Sequence, residues 1–149
     1  MRTLLACTLL LAAACGSKSS PPVAPEPGAT MVLPDVPFDK LDHDQQIEFM
    51  KTKVMPAMEP IFKAHDATKY AQFGCQTCHG PGAEKGEFEM PTPTLPVLDF
   101  KDMSKYKKED LEWMGKDVKP TMAKLLGETE YTAENPTGFG CGHCHTVAP

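Results

Sequence analysis

Two copies of the pattern Cys-x-x-Cys-His constrain this chain more than any other feature of its sequence. The first is CQTCH at residues 75–79 and the second is CGHCH at 141–145, and Phe-Gly precedes each. On a helical turn, cysteines three positions apart point to the same side, and a histidine four positions after the first cysteine lies one turn away on that face. Each motif therefore predicts two sulfurs and one imidazole directed at a common ligand.

This combination is the attachment signature of c-type haem. The two cysteines would bond the vinyl groups of one porphyrin, and the histidine would be the proximal ligand of its iron. The sequence thus predicts two covalent haem c groups. The predicted residues are Cys75, Cys78 and His79 for the first haem, and Cys141, Cys144 and His145 for the second.

Two other uses of paired cysteines are alternatives. Four cysteines could bind structural zinc, but zinc pairs usually lie closer together than the 62 residues (79–140) found here, and zinc does not need a histidine after both pairs. A redox-active dithiol would be expected in a βαβ context, which the sequence lacks. Haem is the favoured prediction.

The chain also contains an internal repeat. Residues 47–62 (IEFMKTKVMPAMEPIF) align without gaps to 111–126 (LEWMGKDVKPTMAKLL) with five identities, where about one is expected by chance. The identical pairs are Glu48/Glu112, Met50/Met114, Val54/Val118, Pro56/Pro120 and Met58/Met122. The offset is 64 residues here and 66 at the motifs, which indicates a duplicated module with a small insertion.

Each module is predicted to contain two helices followed by its cysteine motif. Apolar residues recur at helical spacing, Pro56 and Pro120 are expected to end or kink the first helix of each pair, and no strand alternation is present. Asp42 or Asp44 would cap the first copy, and Asp102 or Ser104 the second. The expected fold is all-α, with two pseudo-repeated helix–helix–CxxCH modules and long Pro/Gly-rich loops. Module 1 with a loop covering its haem is assigned to residues 41–100, and module 2 to 101–149.

Methionine is the predicted sixth iron ligand. Apart from its motif histidine, the second module offers only His143, which lies inside the haem loop. Ligation of each iron by two histidines is therefore disfavoured. Met58 and Met122 are the preferred ligands, because they match across the repeat and precede each motif. Met50, Met114 and Met90 are less favoured, and all five could instead fill the core beside a haem.

The N-terminus resembles a bacterial lipoprotein signal. Residues 1–14 are predicted to be the signal peptide, and Cys15 directly after it is the predicted lipidation site. The apolar run at residues 4–14 is too short to span a membrane. Ordinary secretory cleavage nearby is the alternative. Residues 15–40 are proline-rich and predict an extended tether. The expected location is the periplasmic side of a bacterial membrane, and Gly16 after Cys15 favours the outer membrane.

Charge limits the classes of partner. The formal net charge is −5, so nucleic acid is not expected as a partner. A protein with a basic docking patch is the expected kind of partner. The predicted partners are redox proteins of an electron-transfer chain and, through the lipid, the membrane. No small-molecule substrate is expected.

The order methionine-bearing helix, turn and C-x-x-C-H resembles the module of the cytochrome c subunit of bacterial photosynthetic reaction centres. The resemblance covers residues 44–79 and 108–145. It implies that Met58 and Met122 are sixth ligands and that the chain is a lipoprotein, as several family members are. The family subunit is far longer and has four such modules.

One-electron transfer outside the cytoplasm, without enzymatic activity, is the function these features predict. The alternatives are a small dihaem peroxidase-like enzyme and a haem-based redox or gas sensor, both of which need an iron without a sixth protein ligand.

Overall fold

The computed structural model describes residues 32–149, and 52% of them are helical. Within that range no strand forms, and only isolated bridges pair extended residues, so the prediction of an all-α fold is confirmed. The predicted signal peptide, the lipidation site Cys15 and most of the tether lie outside the described residues. The helices are α1 (His43–Phe49), α2 (Met55–His65), α3 (Cys75–His79), α4 (Lys108–Trp113) and α5 (Lys119–Leu126).

Two long helices dominate the fold. The π-helical turn Met50–Val54 joins α1 to α2 without a break, and Met114–Val118 joins α4 to α5 in the same way. We call these continuous elements the first and second long helix. Short 3₁₀ turns occur at Phe38–Lys40, Pro81–Lys85, Met103–Lys105 and Cys141–His143.

The sequence predicts that Pro56 and Pro120 end or kink the first helix of each pair. Neither ends the long helix, and each lies in the first turn of the α-helix that follows the π-turn. Each is the second residue after a π-turn, which is closed by Met55 N–H bonding Met50 O in the first long helix and Lys119 N–H bonding Met114 O in the second. A proline in an α-helix lacks the N–H that would bond the carbonyl four residues earlier. The wider i→i+5 turn shifts the hydrogen-bond ladder just before that point, so the chain remains helical.

The π-turn also aligns side chains spaced four residues apart. In a regular α-helix each step of four overshoots one turn by about 40°, so residues 50, 54, 58 and 62 would drift around the helix. A turn containing more residues offsets that drift. Met50, before the π-turn, accordingly packs against the buried cluster that contains Val54, Met58 and Phe62.

The start and end of the long helices follow local rules only in part. Asp42 caps α1 as predicted, accepting from Gln45 N–H at 2.9 Å while the Gln45 side chain accepts from Asp42 N–H at 3.0 Å. The prediction of Asp102 or Ser104 as the second cap is wrong, because α4 begins after Lys107, without a side-chain cap. At its far end, Gly127 takes a left-handed conformation with φ +75° and Glu128 N–H bonds Ala123 O at 2.8 Å.

The core lies where the long helices cross. The contacts are reciprocal: α2 of the first long helix contacts the π-turn of the second, and α5 of the second contacts the π-turn of the first. Val54, Met58, Phe62 and Trp113 are buried there. The partly buried side chains around them are Phe49, Met50, Ile61, Tyr70, Phe73, Cys78, Met114, Val118, Met122 and Leu125.

The long loop between the modules pairs with the C-terminal segment. Thr92 N–H donates to Cys144 O at 3.3 Å, and Leu98 N–H donates to Thr146 O at 2.8 Å. Thr94 in turn lies against Gly80, directly after the first motif. The loop therefore lies between the end of one Cys-x-x-Cys-His motif and the other motif.

Among the helices of residues 32–149, none combines the length and apolarity needed to cross a membrane. The same part of the chain holds no group of three or more His, Cys, Asp or Glu side chains placed to bind a metal ion by themselves.

Candidate functional site

The first motif forms a single helical turn, α3, that is closed at its start by a side chain. Gly74 N–H donates to Thr77 Oγ1 at 3.0 Å, and Thr77 N–H donates to Gly74 O at 2.9 Å. Cys75 is exposed and Cys78 is half-buried on this turn. The residue before the second cysteine therefore holds the turn on which both sulfurs lie.

The second motif has the same closure built from a different residue. Gly140 N–H donates to His143 Nδ1 at 3.0 Å, and the His143 ring lies 4.8 Å from that of Phe139. The turn begins as 3₁₀ helix, and His145 N–H then bonds Cys141 O at 2.9 Å. The His143 side chain therefore closes its own turn by accepting a hydrogen bond from Gly140 N–H.

Sequence reasoning missed this closing role of Thr77 and His143. The available signal was a residue with a side-chain acceptor three positions after a glycine in both copies, which is the spacing of a helix-capping interaction.

His145 is oriented by the long loop between the modules. Its Nδ1 lies 2.9 Å from Pro96 O. Since a carbonyl only accepts, Nδ1 carries the proton and Nε2 keeps its lone pair. Histidines that bind a metal through one nitrogen commonly donate the other N–H to a carbonyl in this way.

His79 occupies a more enclosed position. Its ring meets Phe88 edge-on at 5.4 Å, and its buried Nδ1 has no hydrogen-bond partner of ordinary geometry within residues 32–149. Burial lowers the pKa of His79, and the nearby Phe88 backbone offsets part of that effect. Burial therefore favours the neutral imidazole, which is the form that binds metals.

The inner cysteine of each motif is partly buried. Burial, with smaller contributions from Cys144 and Cys75, raises the pKa of Cys78 to about 12. Burial, with a smaller contribution from Cys141, raises the pKa of Cys144 to about 11. Both remain uncharged thiols at neutral pH, and the structure brings the two motifs to one region of the molecule.

The predicted methionine ligands lie in the core between the long helices. Met58 is 2% exposed, and Cys78 packs against the same cluster. Met122, Met50 and Met114 are partly buried around it. Met90 is not part of the cluster and lies in the loop after the first motif.

The donor set fits haem c. Each motif presents two free thiols on one turn and a histidine one turn from the first sulfur. The Pro96 carbonyl leaves His145 Nε2 available, and the buried Nδ1 of His79 lies beside the Phe88 backbone. Methionine thioethers are available in the adjoining core as further iron ligands.

No known protein family matches this chain, and neither a curated protein nor a solved structure resembles it closely enough to indicate one.

Proposed function

We propose that this chain is a dihaem c-type cytochrome that carries single electrons on the periplasmic side of a bacterial membrane. The observation that carries the proposal is the pair of Cys-x-x-Cys-His turns, with His145 Nδ1 held by Pro96 so that Nε2 is free. A haem held by such a turn supplies iron that is reduced and oxidised by one electron.

The chain's own residues would fix where that chemistry takes place. Cys75 and Cys78 would bind the first group and Cys141 and Cys144 the second, while His79 and His145 would orient the iron. The Phe62–Phe73 pair, with ring centroids 4.9 Å apart, packs the core beside the first turn.

The equivalent placement of the two long helices supports two related modules within one fold. Both contain a π-turn before a proline, at positions 64 residues apart. Met58 and Met122 follow those prolines by two residues, and both reach the shared core. We propose them as the sixth ligands, as the resemblance to the reaction-centre subunit implies.

The decisive experiment is the intact mass of the denatured protein after expression with a haem-attachment system. We expect the mass of the processed chain plus two haems. A colourless protein, or one that carries zinc, would remove the basis of the proposal.

Carbon monoxide distinguishes an electron carrier from a peroxidase or a gas sensor. If both irons have a methionine ligand, the spectrum of the reduced protein should change little on addition of the gas. A full shift of one haem would indicate an open iron and would favour the enzyme or sensor.

A further inference from the structure

A cleft of about 640 Å³ lies between α2 and the second long helix, and no residue of either motif lines it. Its lining includes the apolar side chains of Ile61, Ala64 and Trp113, which we call the floor, and the carboxylates of Glu109 and Asp117, which we call the rim. The floor is therefore largely apolar and part of the rim is acidic.

Two carboxylates at this rim are available to a partner. Glu109 and Asp117 are exposed, and neither forms an ion pair with another of the residues that the structure describes. Glu112 between them is paired with Lys116 at 3.2 Å, so these two charges largely compensate one another. The remaining charge of the rim is negative, which is also the sign of the net charge of the whole chain, −5.

The floor contains one buried tryptophan that packs against a neighbouring ring. Trp113 is 8% exposed, and its indole N–H has no acceptor within residues 32–149. The His65 ring stacks on it with centroids 4.0 Å apart, and His65 Nε2 lies 2.7 Å from Asp110 Oδ1. Because the indole N–H is itself enclosed, a ligand in the cleft would meet the indole ring and the rim carboxylates instead. A peptide segment bearing lysine or arginine fits this surface.

The cleft is also connected to the first attachment turn through aromatic contacts. The rings of Trp113 and Phe62 are 4.9 Å apart, as are those of Phe62 and Phe73, and Phe73 precedes Gly74-Cys75. A protein bound in the cleft would therefore lie close to the first proposed haem.

We propose that this cleft is the docking surface for a basic redox partner protein. A lysine or arginine on a surface loop of the partner would pair with Glu109 and Asp117, and the apolar part of that loop would cover Trp113. The identification of the partner as a redox protein rests on the proposed function, whereas the cationic chemistry rests on the cleft itself.

The test uses the full haem-loaded protein in its reduced form and a hexalysine peptide as the probe, with hexaserine as the neutral control. Trp113 is the only tryptophan, so its indole N–H gives a single resonance that reports on the cleft. We expect hexalysine, but not hexaserine, to shift that resonance saturably, and the affinity to fall as salt is added. The double variant Glu109→Gln/Asp117→Asn should weaken binding by roughly 3- to 10-fold.

The matched control is Glu89→Gln/Glu128→Gln, which removes the same charge from exposed residues that do not line the cleft. Equal weakening by both double variants, or an unmoved indole resonance, would overturn the docking site. A changed visible spectrum in the Glu109/Asp117 variant, with no peptide response, would show that a haem covers the cleft and would also overturn it. The mass of the same sample tests the proposed function separately, because two attached haems with no peptide response refute only the docking site.

Discussion

Gly80 follows the first motif in a backbone conformation that other residues rarely adopt. Its φ is +74° and its ψ is −173°, and a Cβ built at this position would collide with the Thr94 side chain. The glycine therefore allows the loop to lie directly against the end of α3.

Replacing Gly80 by alanine should destabilise the protein by about 2–4 kcal/mol, because backbone strain and overpacking both oppose the Cβ. Gly86→Ala is the matched control, since Gly86 also has positive φ, at +81°, but a Cβ added there would meet no atom within 4 Å. Its cost should be limited to about 1–2 kcal/mol of backbone strain. Chemical denaturation of the haem-loaded variants measures both, and equal losses would show that the Thr94 contact is unimportant.

The methionines can be tested by separating iron ligation from packing. A thioether bound to ferric haem gives a weak charge-transfer band in the far red, so Met58→Ala should remove this band from one haem and Met122→Ala from the other. Met50→Ala and Met114→Ala should retain both bands and reduce only stability. Met58→Ala should in addition cost about 2–5 kcal/mol, because Met58 is almost fully buried.

Each alternative to Met58 and Met122 as iron ligands predicts a different result in these four variants. Loss of a band in the Met50 or Met114 variant would move the ligand eight residues, or two turns, earlier in the long helix. Retention of both bands in all four variants would leave Met90, or a residue outside the repeat, as the ligand.

Among the elements, the two long helices were predictable and their junctions were not. The repeat indicated helices on both sides of Pro56 and Pro120, because apolar spacing is a local signal. The usual effect of proline predicted an interruption there. A π-turn instead precedes the proline in both copies, and the spacing of apolar residues does not distinguish it from a regular helical turn.

The motif turns were predictable for a similar reason, and the orientation of their histidines was not. The Cys-x-x-Cys-His spacing places its three donors on one turn from local geometry alone. Pro96 is 49 positions before His145, and that contact has no periodic signature in the sequence. The same holds for the bond from Thr92 to Cys144.

Thr92 gives a test of the loop that joins the two motifs. It is buried, and its Oγ1 lies 2.9 Å from Thr94 Oγ1. Thr92→Val keeps the shape of the side chain and leaves the Thr94 hydroxyl without this partner, so it should cost about 1–2 kcal/mol. Thr137→Val, at an exposed position, should change the free energy of unfolding by less than about 0.5 kcal/mol. A loss no larger than that of the control would show that the hydroxyl pair does not hold the loop.

At the scale of the whole molecule, the proposed lipid at Cys15 would decide where the proposed electron carrier operates. Cys15→Ser should move the protein from the membrane fraction to the soluble periplasmic fraction, because a lipoprotein modification adds several acyl chains and gives stable anchoring. Haem content should not change. A wild-type protein that is already soluble would refute the anchor and leave the cytochrome proposal intact.

The pairing of residues 92–98 with 144–148 also has a consequence for the order in which the molecule is assembled. A chain threaded across a membrane from its N-terminus presents Cys75 and Cys78 well before residue 144 arrives. Until then residues 92–98 lack the C-terminal segment with which they pair. Bringing two segments together that are about fifty residues apart is slow compared with forming a helical turn. The first attachment site would therefore stay accessible to a modifying enzyme during export, and it would close in the same step that completes the second.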